Sequence, residues 1–104
     1  MIVVANRIPV VKGREQEFER QFLGRPKLAD MMPGFIRNEF LKPLNNDYYV
    51  VLSYWESREE FEAWVKSEGY QKNQARKMNR DFLSGPVQMD LHEVIGISER
   101  VREM

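Results

Sequence analysis

Hydrophobic residues alternate with polar ones, or run almost continuously, along four short segments of the chain. Segments of this kind, rich in Val, Ile, Tyr and Phe, are typical of β-strands. Turn-forming Gly, Pro, Asn and Asp residues separate them. The pattern therefore predicts strands over residues 2–11, 35–41, 48–55 and 87–97.

Between these segments, apolar residues recur every three or four positions, which indicates amphipathic helices. The first predicted helix covers residues 14–23, and a short helical piece follows at 26–32. Ser57 and Glu60 have the spacing of a capping box, in which a hydroxyl and a carboxylate satisfy free backbone N–H groups where a helix begins. A further helix is predicted over residues 70–82.

The predicted order of elements is βαββαβ, which is two β-α-β halves joined by a hairpin. This order is typical of a ferredoxin-like α+β domain with an antiparallel sheet. Right-handed crossovers place both helical layers on the same face of that sheet. We therefore expect one domain over residues 1–104, with its core at about 2–97 and a charged tail at 98–104.

The sheet face that the helices leave uncovered is also predicted to be apolar. A sheet face that is exposed to water should carry polar residues at alternate positions along each strand. In the first and third strands the second face instead carries valines, a tyrosine and a tryptophan, at Val3, Ala5, Val11, Tyr49, Val51 and Trp55. So large an apolar surface usually marks an interface. We expect the same face of a second copy to cover it as a homodimer, the alternatives being a monomer with an amphipathic face or cover by the tail.

Composition limits the partners and the chemistry. Sixteen basic and sixteen acidic residues give a formal net charge of zero, so nucleic acid is not an expected partner. The absence of cysteine excludes disulfides, a thiolate nucleophile and a thiolate metal site. No signal-peptide layout is present, and no apolar run approaches the ~20 residues that span a bilayer. We expect a cytoplasmic protein without a membrane partner.

Two residues are candidates for a functional site. Asn6 shares a strand face with Val4 and Ile8, although strands disfavour asparagine. A buried amide needs either protein partners or a ligand in a cavity, and the pattern leaves both explanations open. Trp64 lies with Phe61 on the apolar face of the capped helix, where a core aromatic is the commoner explanation.

Three stretches of the chain resemble the antibiotic biosynthesis monooxygenase family, and its Isd-type haem-degrading branch most of all. Residues 55–67 match the family pattern W-x-S-x-x-x-F-x-x-W-x-x-S. Residues 5–8 with Lys12-Gly13 match its first strand and turn, and Pro33-Gly34-Phe35 is similar to its P/E-G-F element. The resemblance implies a dimeric α/β barrel.

The resemblance also implies roles for individual residues. In the family, the Asn that matches Asn6 points into a pocket and hydrogen-bonds bound oxygen or a substrate carbonyl. The Trp that matches Trp64 shapes that pocket, and in the haem-degrading branch it packs against the porphyrin. On this basis Asn6 and Trp64 are the expected catalytic residues, and Phe61, Tyr70 and Gln74 are the expected substrate-binding residues.

One position departs from the haem-degrading branch. That branch supplies an axial His from the helix after the Trp, and Gln74 stands at the matching position here. Glutamine is a poor ligand for haem iron compared with imidazole. The one histidine of the chain, His92, lies in the last predicted strand, and one histidine cannot form a protein metal site of the usual spacing.

We therefore expect cofactor-independent oxidation of a small aromatic substrate, with no metal, flavin or haem, in an apolar pocket between helices and sheet. The first alternative is a haem-binding or haem-degrading protein of the Isd type. The second is a non-catalytic dimeric protein that binds a small apolar or aromatic ligand. An open cavity near Trp64 favours a ligand, whereas a filled core favours a structural role.

Overall fold

The fold is an antiparallel sheet with helices on one face. The computed structural model describes residues 1–24, 28–75 and 80–101, with the backbone alone at 73–75 and 80. The strands are β1 (Ile2–Pro9), β2 (Phe35–Leu41), β3 (Tyr48–Trp55) and β4 (Gln88–Glu93). The helices are α1 (Glu15–Leu23), α2 (Arg58–Val65) and α3 (Glu68–Ala75), with 3-10 turns at Ala29–Met31 and Arg80–Phe82. The sheet order is β2-β3-β1-β4 and neighbouring strands are antiparallel, which confirms the predicted ferredoxin-like α+β fold.

The second and third predicted strands are confirmed at both ends, but the last one is shorter than predicted. The strand β4 stops at Glu93, which lies opposite Ile2 at the start of β1. The N–H of Val94 still donates to the carbonyl of Met1 at 2.9 Å. Beyond Val94, no residue of β1 remains for β4 to pair with. The prediction of a strand up to residue 97 was therefore wrong, and Ile95 is exposed.

The capping box is formed only in part. The hydroxyl of Ser57 accepts a hydrogen bond from the N–H of Glu60 at 3.3 Å, so α2 begins as predicted. The Glu60 carboxylate instead packs over Gly34, where an added Cβ would lie 1.5 Å from its Oε2 atom. Gly34 also has φ of +82°, so glycine is required here for two reasons.

The third helix begins earlier than predicted. Ser67 caps α3, because its hydroxyl accepts from the N–H of Tyr70 at 3.2 Å and donates to the carbonyl of Trp64 at 2.6 Å. Residues 76–79 of the predicted 70–82 helix lie outside the described residues. The same holds for residues 26–27 of the predicted helical piece at 26–32, whose described end forms a 3-10 turn.

The helix-covered face of the sheet carries two separate groups of buried residues. We name them by the aromatic residue at the centre of each. The Phe18 cluster is Ile8, Val10, Phe18, Phe22, Tyr49, Val51 and Phe82. The Trp64 cluster is Val4, Trp55, Phe61 and Trp64, with Leu28, Met32, Phe35 and Tyr70 packed against it. The helix α1 covers the first cluster and α2 covers the second.

The structure corrects the assignment of β3 to the two sheet faces. Ile2 pairs with Trp55, and Ile8 pairs with Tyr49. Directly paired side chains share a face, so Tyr49, Val51 and Trp55 lie beneath the helices and are buried. The uncovered face still carries apolar residues, but they are Val3, Ala5, Tyr48, Val50, Leu52 and Tyr54.

Within the described residues, no helix has both the length and the apolar character needed to cross a membrane.

Candidate functional site

Asn6 lies between the two clusters on the helix-covered face. On β1 it follows Val4 of the Trp64 cluster and precedes Ile8 of the Phe18 cluster. Alternate strand residues are about 6.6 Å apart along the strand, so the two clusters flank Asn6 at that spacing. We call this position on the helix-covered face, between the two clusters, the inter-cluster gap.

The amide of Asn6 has no hydrogen-bond partner among the residues that the structure describes. No hydrogen bond joins its side chain to any described residue. The side chain is half-buried. Its oxygen and nitrogen atoms remain accessible, because neither is among the fully buried polar atoms that lack a hydrogen bond in the described residues. The amide therefore offers one acceptor and two N–H donors to whatever occupies the inter-cluster gap.

The gap opens towards the β4 edge of the sheet. Met89 pairs with Asn6, and Leu91 pairs with Val4. Although both side chains lie on the helix-covered face, 49% of Met89 and 37% of Leu91 remain exposed. An apolar floor beside an unpaired amide suits an aromatic ligand with a polar substituent.

Trp64 is held tightly at its place beside the gap. It is buried, and its ring contacts Tyr70 edge-on with centroids 5.6 Å apart. Gly69 lies against the same ring, and an added Cβ there would be 2.9 Å from the Cζ3 atom of Trp64. The first turn of α3 therefore fixes the orientation of this indole.

The structure brings Phe61 and Tyr70 together with Trp64. Phe61 packs edge-on against Trp55 at 5.9 Å within the Trp64 cluster, and Tyr70 lies at its border, half-buried. The binding roles that the sequence indicates for both residues stay predictions. Asn6 lies one row of the sheet away from this group, on the same face.

Gln74 belongs to α3, but its side chain lies outside the described residues. His92 is on β4 and pairs with Val3, which places it on the uncovered face of the sheet. The single imidazole of the chain is therefore on the opposite side of the sheet from Asn6 and Trp64. These residues do not fit a histidine-ligated haem in the inter-cluster gap.

Two polar residues on the same face were missed by sequence reasoning. Ser53 pairs with Val4 on one side and with Asn38 on the other. The hydroxyl of Ser53 donates to Oδ1 of Asn38 at 2.6 Å. Their face follows from the strand register, which the alternation within a single strand does not reveal.

A second polar group is attached to the Phe18 cluster. The hydroxyl of Tyr49 donates to the carboxylate of Glu19 on α1, and Lys42 pairs with that carboxylate at 3.2 Å. Burial, together with donation to Glu19, raises the pKa of Tyr49. The hydrogen bond from Tyr49, helped by Lys42, lowers the pKa of Glu19. The contacts of Glu19 with Tyr49 and Lys42 hold α1 against the sheet.

No group of three or more His, Cys, Asp or Glu side chains that could hold a metal ion occurs in the described part of the chain. A hollow over α1 is lined by Gly13, Glu15, Gln16, Glu17, Arg20 and Gln21. It is mostly polar and contains none of the candidate residues.

The family of the chain follows from comparison with known proteins. A family model described as "Antibiotic biosynthesis monooxygenase" matches residues 1–76. A staphylobilin-producing heme oxygenase of Staphylococcus haemolyticus is 33% identical over 91 residues, which cover 84% of this chain and 86% of that protein. The chain belongs to the antibiotic biosynthesis monooxygenase family, as the sequence predicts, and it has haem-degrading relatives.

Other relatives differ in coverage and in described activity. A mycobilin-producing heme oxygenase of Mycobacterium tuberculosis is 35% identical over 65 residues, and the chain spans 62% of its length. The structure of the heme-degrader MhuD from Mycobacterium tuberculosis, with two hemes bound, superposes with a TM-score of 0.81 at 27% identity, covering 95% of this chain and all of that one. SnoaB of Streptomyces nogalater, a cofactor-independent oxygenase, superposes with a TM-score of 0.73 at 21% identity, covering 92% and 94%. The likeness to SnoaB shows the fold alone.

Proposed function

We propose that this chain is a monooxygenase that oxidises a small aromatic substrate in the inter-cluster gap without haem, metal or flavin. The observation that carries the proposal is the amide of Asn6, which has no partner among the described residues and lies between two apolar clusters on the helix-covered face. Family membership supports the class of reaction. SnoaB, a cofactor-independent oxygenase, is an example of a protein with this fold that acts without a cofactor.

The chemistry balances without an external reductant. In an anthrone, a CH₂ group lies in the central ring, opposite the ring carbonyl and between two fused benzene rings. This CH₂ group reacts with O₂ to give a second C=O group and water. The carbon loses four electrons and two protons, and O₂ takes up all of them. The protein has to favour loss of the first proton, because the resulting enolate is the form that reacts with O₂.

Asn6 supplies that assistance. Its N–H groups donate to the substrate oxygen on which negative charge develops, as donors in an oxyanion hole do. A ligand that lies over Met89, Leu91 and the Trp64 cluster displaces the water that would otherwise compete for those donors. Trp64 forms a rigid wall because Gly69 and Tyr70 hold its ring from the α3 side.

Product analysis under ¹⁸O₂ tests this proposal. With anthrone as substrate, we expect one ¹⁸O atom in each anthraquinone and the other in water. Asn6→Ala should lower the turnover rate about 100-fold, the usual effect of removing one oxyanion donor. Asn45→Ala, in the exposed loop between β2 and β3, is the matched control and should react as the unchanged protein does. Equal rates for the unchanged protein and Asn6→Ala would refute the proposed role.

Haem degradation is the second candidate, and the described activities of the relatives favour it. Against it stand Gln74 at the position of the expected axial His and His92 on the far side of the sheet. We propose that the fold retains room for a flat ring system and that this chain lacks the imidazole needed to hold haem iron.

A haem titration followed in the Soret region separates the two candidates. We expect no one-to-one complex with the unchanged protein, and a complex with Gln74→His. A stoichiometric complex of the unchanged protein, whose Soret band bleaches under reductant and oxygen, would establish the haem-degrading candidate and overturn the cofactor-free one.

We also propose a homodimer that pairs the uncovered sheet faces. The centre of this face is apolar and its edges are charged, which is the usual anatomy of a protein interface. Arg7 pairs with Asp90 at 2.6 Å on one side, and Arg37 pairs with Glu39 at 3.3 Å on the other. The side chains at its centre, Val3, Ala5, Val50 and Leu52, carry no polar atom that a partner would leave unsatisfied.

A further inference from the structure

Three polar side chains cross the helix-covered face of the sheet in a line. Asn6 on β1 pairs with Val51, so it lies diagonally next to Ser53 on β3, and Ser53 pairs with Asn38 on β2. We call Asn6, Ser53 and Asn38 the polar stripe. On this face the neighbouring strand positions hold apolar or aromatic residues: Val4, Ile8, Phe35, Phe40, Tyr49, Val51 and Trp55.

The hydrogen bond between Ser53 and Asn38 leaves hydrogen-bonding capacity on both residues. The Ser53 hydroxyl gives its one hydrogen to Oδ1 of Asn38, at 2.6 Å. The lone pairs of Ser53 Oγ and the two N–H groups of Asn38 Nδ2 therefore stay available. No other described residue forms a hydrogen bond with these groups. Both residues are half-buried, and the Asn38 Nδ2 atom is accessible, because it is not among the buried polar atoms that lack a partner.

We infer that the Ser53–Asn38 pair is a second polar anchor for the ligand that lies over Asn6. In this arrangement Asn38 donates to a ligand oxygen, and Ser53 accepts from a ligand hydroxyl. No charged residue occupies this face in β1, β2 or β3, so the pair selects an uncharged hydroxyl or carbonyl rather than a carboxylate. The inference rests on the proposed function, because it names the substrate groups that the same site recognises.

The spacing of the stripe sets the length of the ligand. Diagonal neighbours on adjacent strands lie about 7–8 Å apart. A single aromatic ring with two oxygen substituents is shorter than this, whereas two or three fused rings with oxygen at both ends match it. The stripe therefore favours a polycyclic substrate whose far end carries its own hydroxyl or carbonyl.

Two ligands that differ by one hydroxyl test the anchor. The probes are 2-naphthol, with oxygen at one end, and 2,6-dihydroxynaphthalene, with oxygen at both ends, titrated calorimetrically into the full chain. We expect Ser53→Ala and Asn38→Ala to weaken the binding of 2,6-dihydroxynaphthalene three- to tenfold, the usual effect of one lost neutral hydrogen bond. Both variants should bind 2-naphthol as the unchanged protein does, within a factor of two.

The matched control is Tyr54→Phe. It removes a hydrogen bond between the same two strands, from the Tyr54 hydroxyl to Glu39 at 2.9 Å, on the opposite face of the sheet. It should leave both affinities unchanged. If Asn38→Ala does not fold, the binding data for Ser53→Ala alone test the anchor, because alanine creates no new contact at that position.

The possible results separate the anchor from the proposed function. Weaker binding of both naphthols by Asn6→Ala, together with no effect of Ser53→Ala, would overturn the anchor and leave the role of Asn6 standing. Sensitivity to Ser53→Ala with none to Asn6→Ala would keep the anchor and overturn the proposed role of Asn6. Failure of the unchanged protein to bind either naphthol would overturn both.

Discussion

Asn6 occupies a strand position where a branched apolar side chain would pack better. Its neighbours on the same strand face, Val4 and Ile8, are both buried, and its amide has no partner among the described residues. An unpaired amide lowers stability without any structural gain. The proposed ligand-binding role of Asn6 would explain why such a residue is present.

Replacing Asn6 with Val therefore should stabilise the protein. We expect the free energy of unfolding to rise by about 0.5–1 kcal/mol, because valine is favoured in strands and leaves no polar group unsatisfied. Urea unfolding measures the change, and the same variant should lose binding of aromatic ligands. A loss of more than 1 kcal/mol would mean that Asn6 has a structural partner.

Tyr49 should make stability depend on pH through Glu19. The pKa of Glu19 is lowered in the folded protein, so its contribution is present above the unfolded value near 4.5 and is lost as the pH falls through the lower folded value. We expect Tyr49→Phe to cost about 1 kcal/mol at pH 7. That difference should shrink below pH 4.

Urea unfolding at a series of pH values checks this, with Tyr48→Phe as the control on the opposite face. A difference between Tyr49→Phe and the unchanged protein that stays constant down to pH 3 would contradict the link to Glu19.

At the residue scale, sequence reasoning proposed two members of the candidate site, Asn6 and Trp64. Asn6 and Trp64 stand out because one breaks a strand pattern and the other lies in a family motif. Ser53 and Asn38 did not stand out, since small polar residues are common on solvent-facing strand positions. Only the pairing of Ser53 with buried Val4 shows which face they share.

At the scale of elements, the junction of α2 and α3 determines the position of Trp64. The hydroxyl of Ser67 links the carbonyl of Trp64 to the first turn of α3, and Gly69 leaves room for the indole. A glycine inside a helix normally costs about 1 kcal/mol relative to alanine. Close approach of the Trp64 ring explains why glycine is present here.

Gly69→Ala should for this reason destabilise the protein despite its better helix propensity. The added Cβ would lie 2.9 Å from Trp64 Cζ3, so the ring or the helix has to move, at a cost of about 1–2 kcal/mol. Thermal unfolding and the tryptophan emission maximum measure the effect. Gln71→Ala, exposed on the same helix, should change stability by less than about 0.5 kcal/mol. A Gly69→Ala variant with higher stability and an unchanged tryptophan emission maximum would refute this packing.

The elements themselves were largely predictable, and the failures have a common cause. The bounds of β2 and β3 followed from local patterns of alternation and turns. The end of β4 and the face assignment of β3 depend on which residues pair across strands. Pairing is a long-range property, so periodicity within one segment does not determine it.

At the scale of the whole molecule, an uncovered apolar sheet face predicts self-association. Leu52 lies near the centre of that face, opposite Ala5. A stable interface of standard size buries about 800 Å² on each partner, and one face of a sheet this size supplies an area of that order. The error in assigning β3 did not change this conclusion, because both faces of that strand are apolar.

Leu52→Arg should convert the proposed dimer to a monomer without unfolding it. A two-fold axis would bring two buried arginines together without counter-charges, which an interface does not tolerate. Light scattering should report about twice the chain mass of 12.4 kDa for the unchanged protein and the single mass for the variant. Leu44→Arg, in an exposed loop, should remain dimeric. A monomeric unchanged protein would refute the proposed interface.

Oxygen uptake by haem-free protein, measured with and without added haem, distinguishes cofactor-independent oxidation from haem degradation. With anthrone as substrate, we expect one O₂ consumed per anthrone, strong dependence on Asn6 and no response to haem. Uptake that occurs only when haem is added, with loss of the Soret band, would show that the chain degrades haem and would contradict cofactor-independent oxidation.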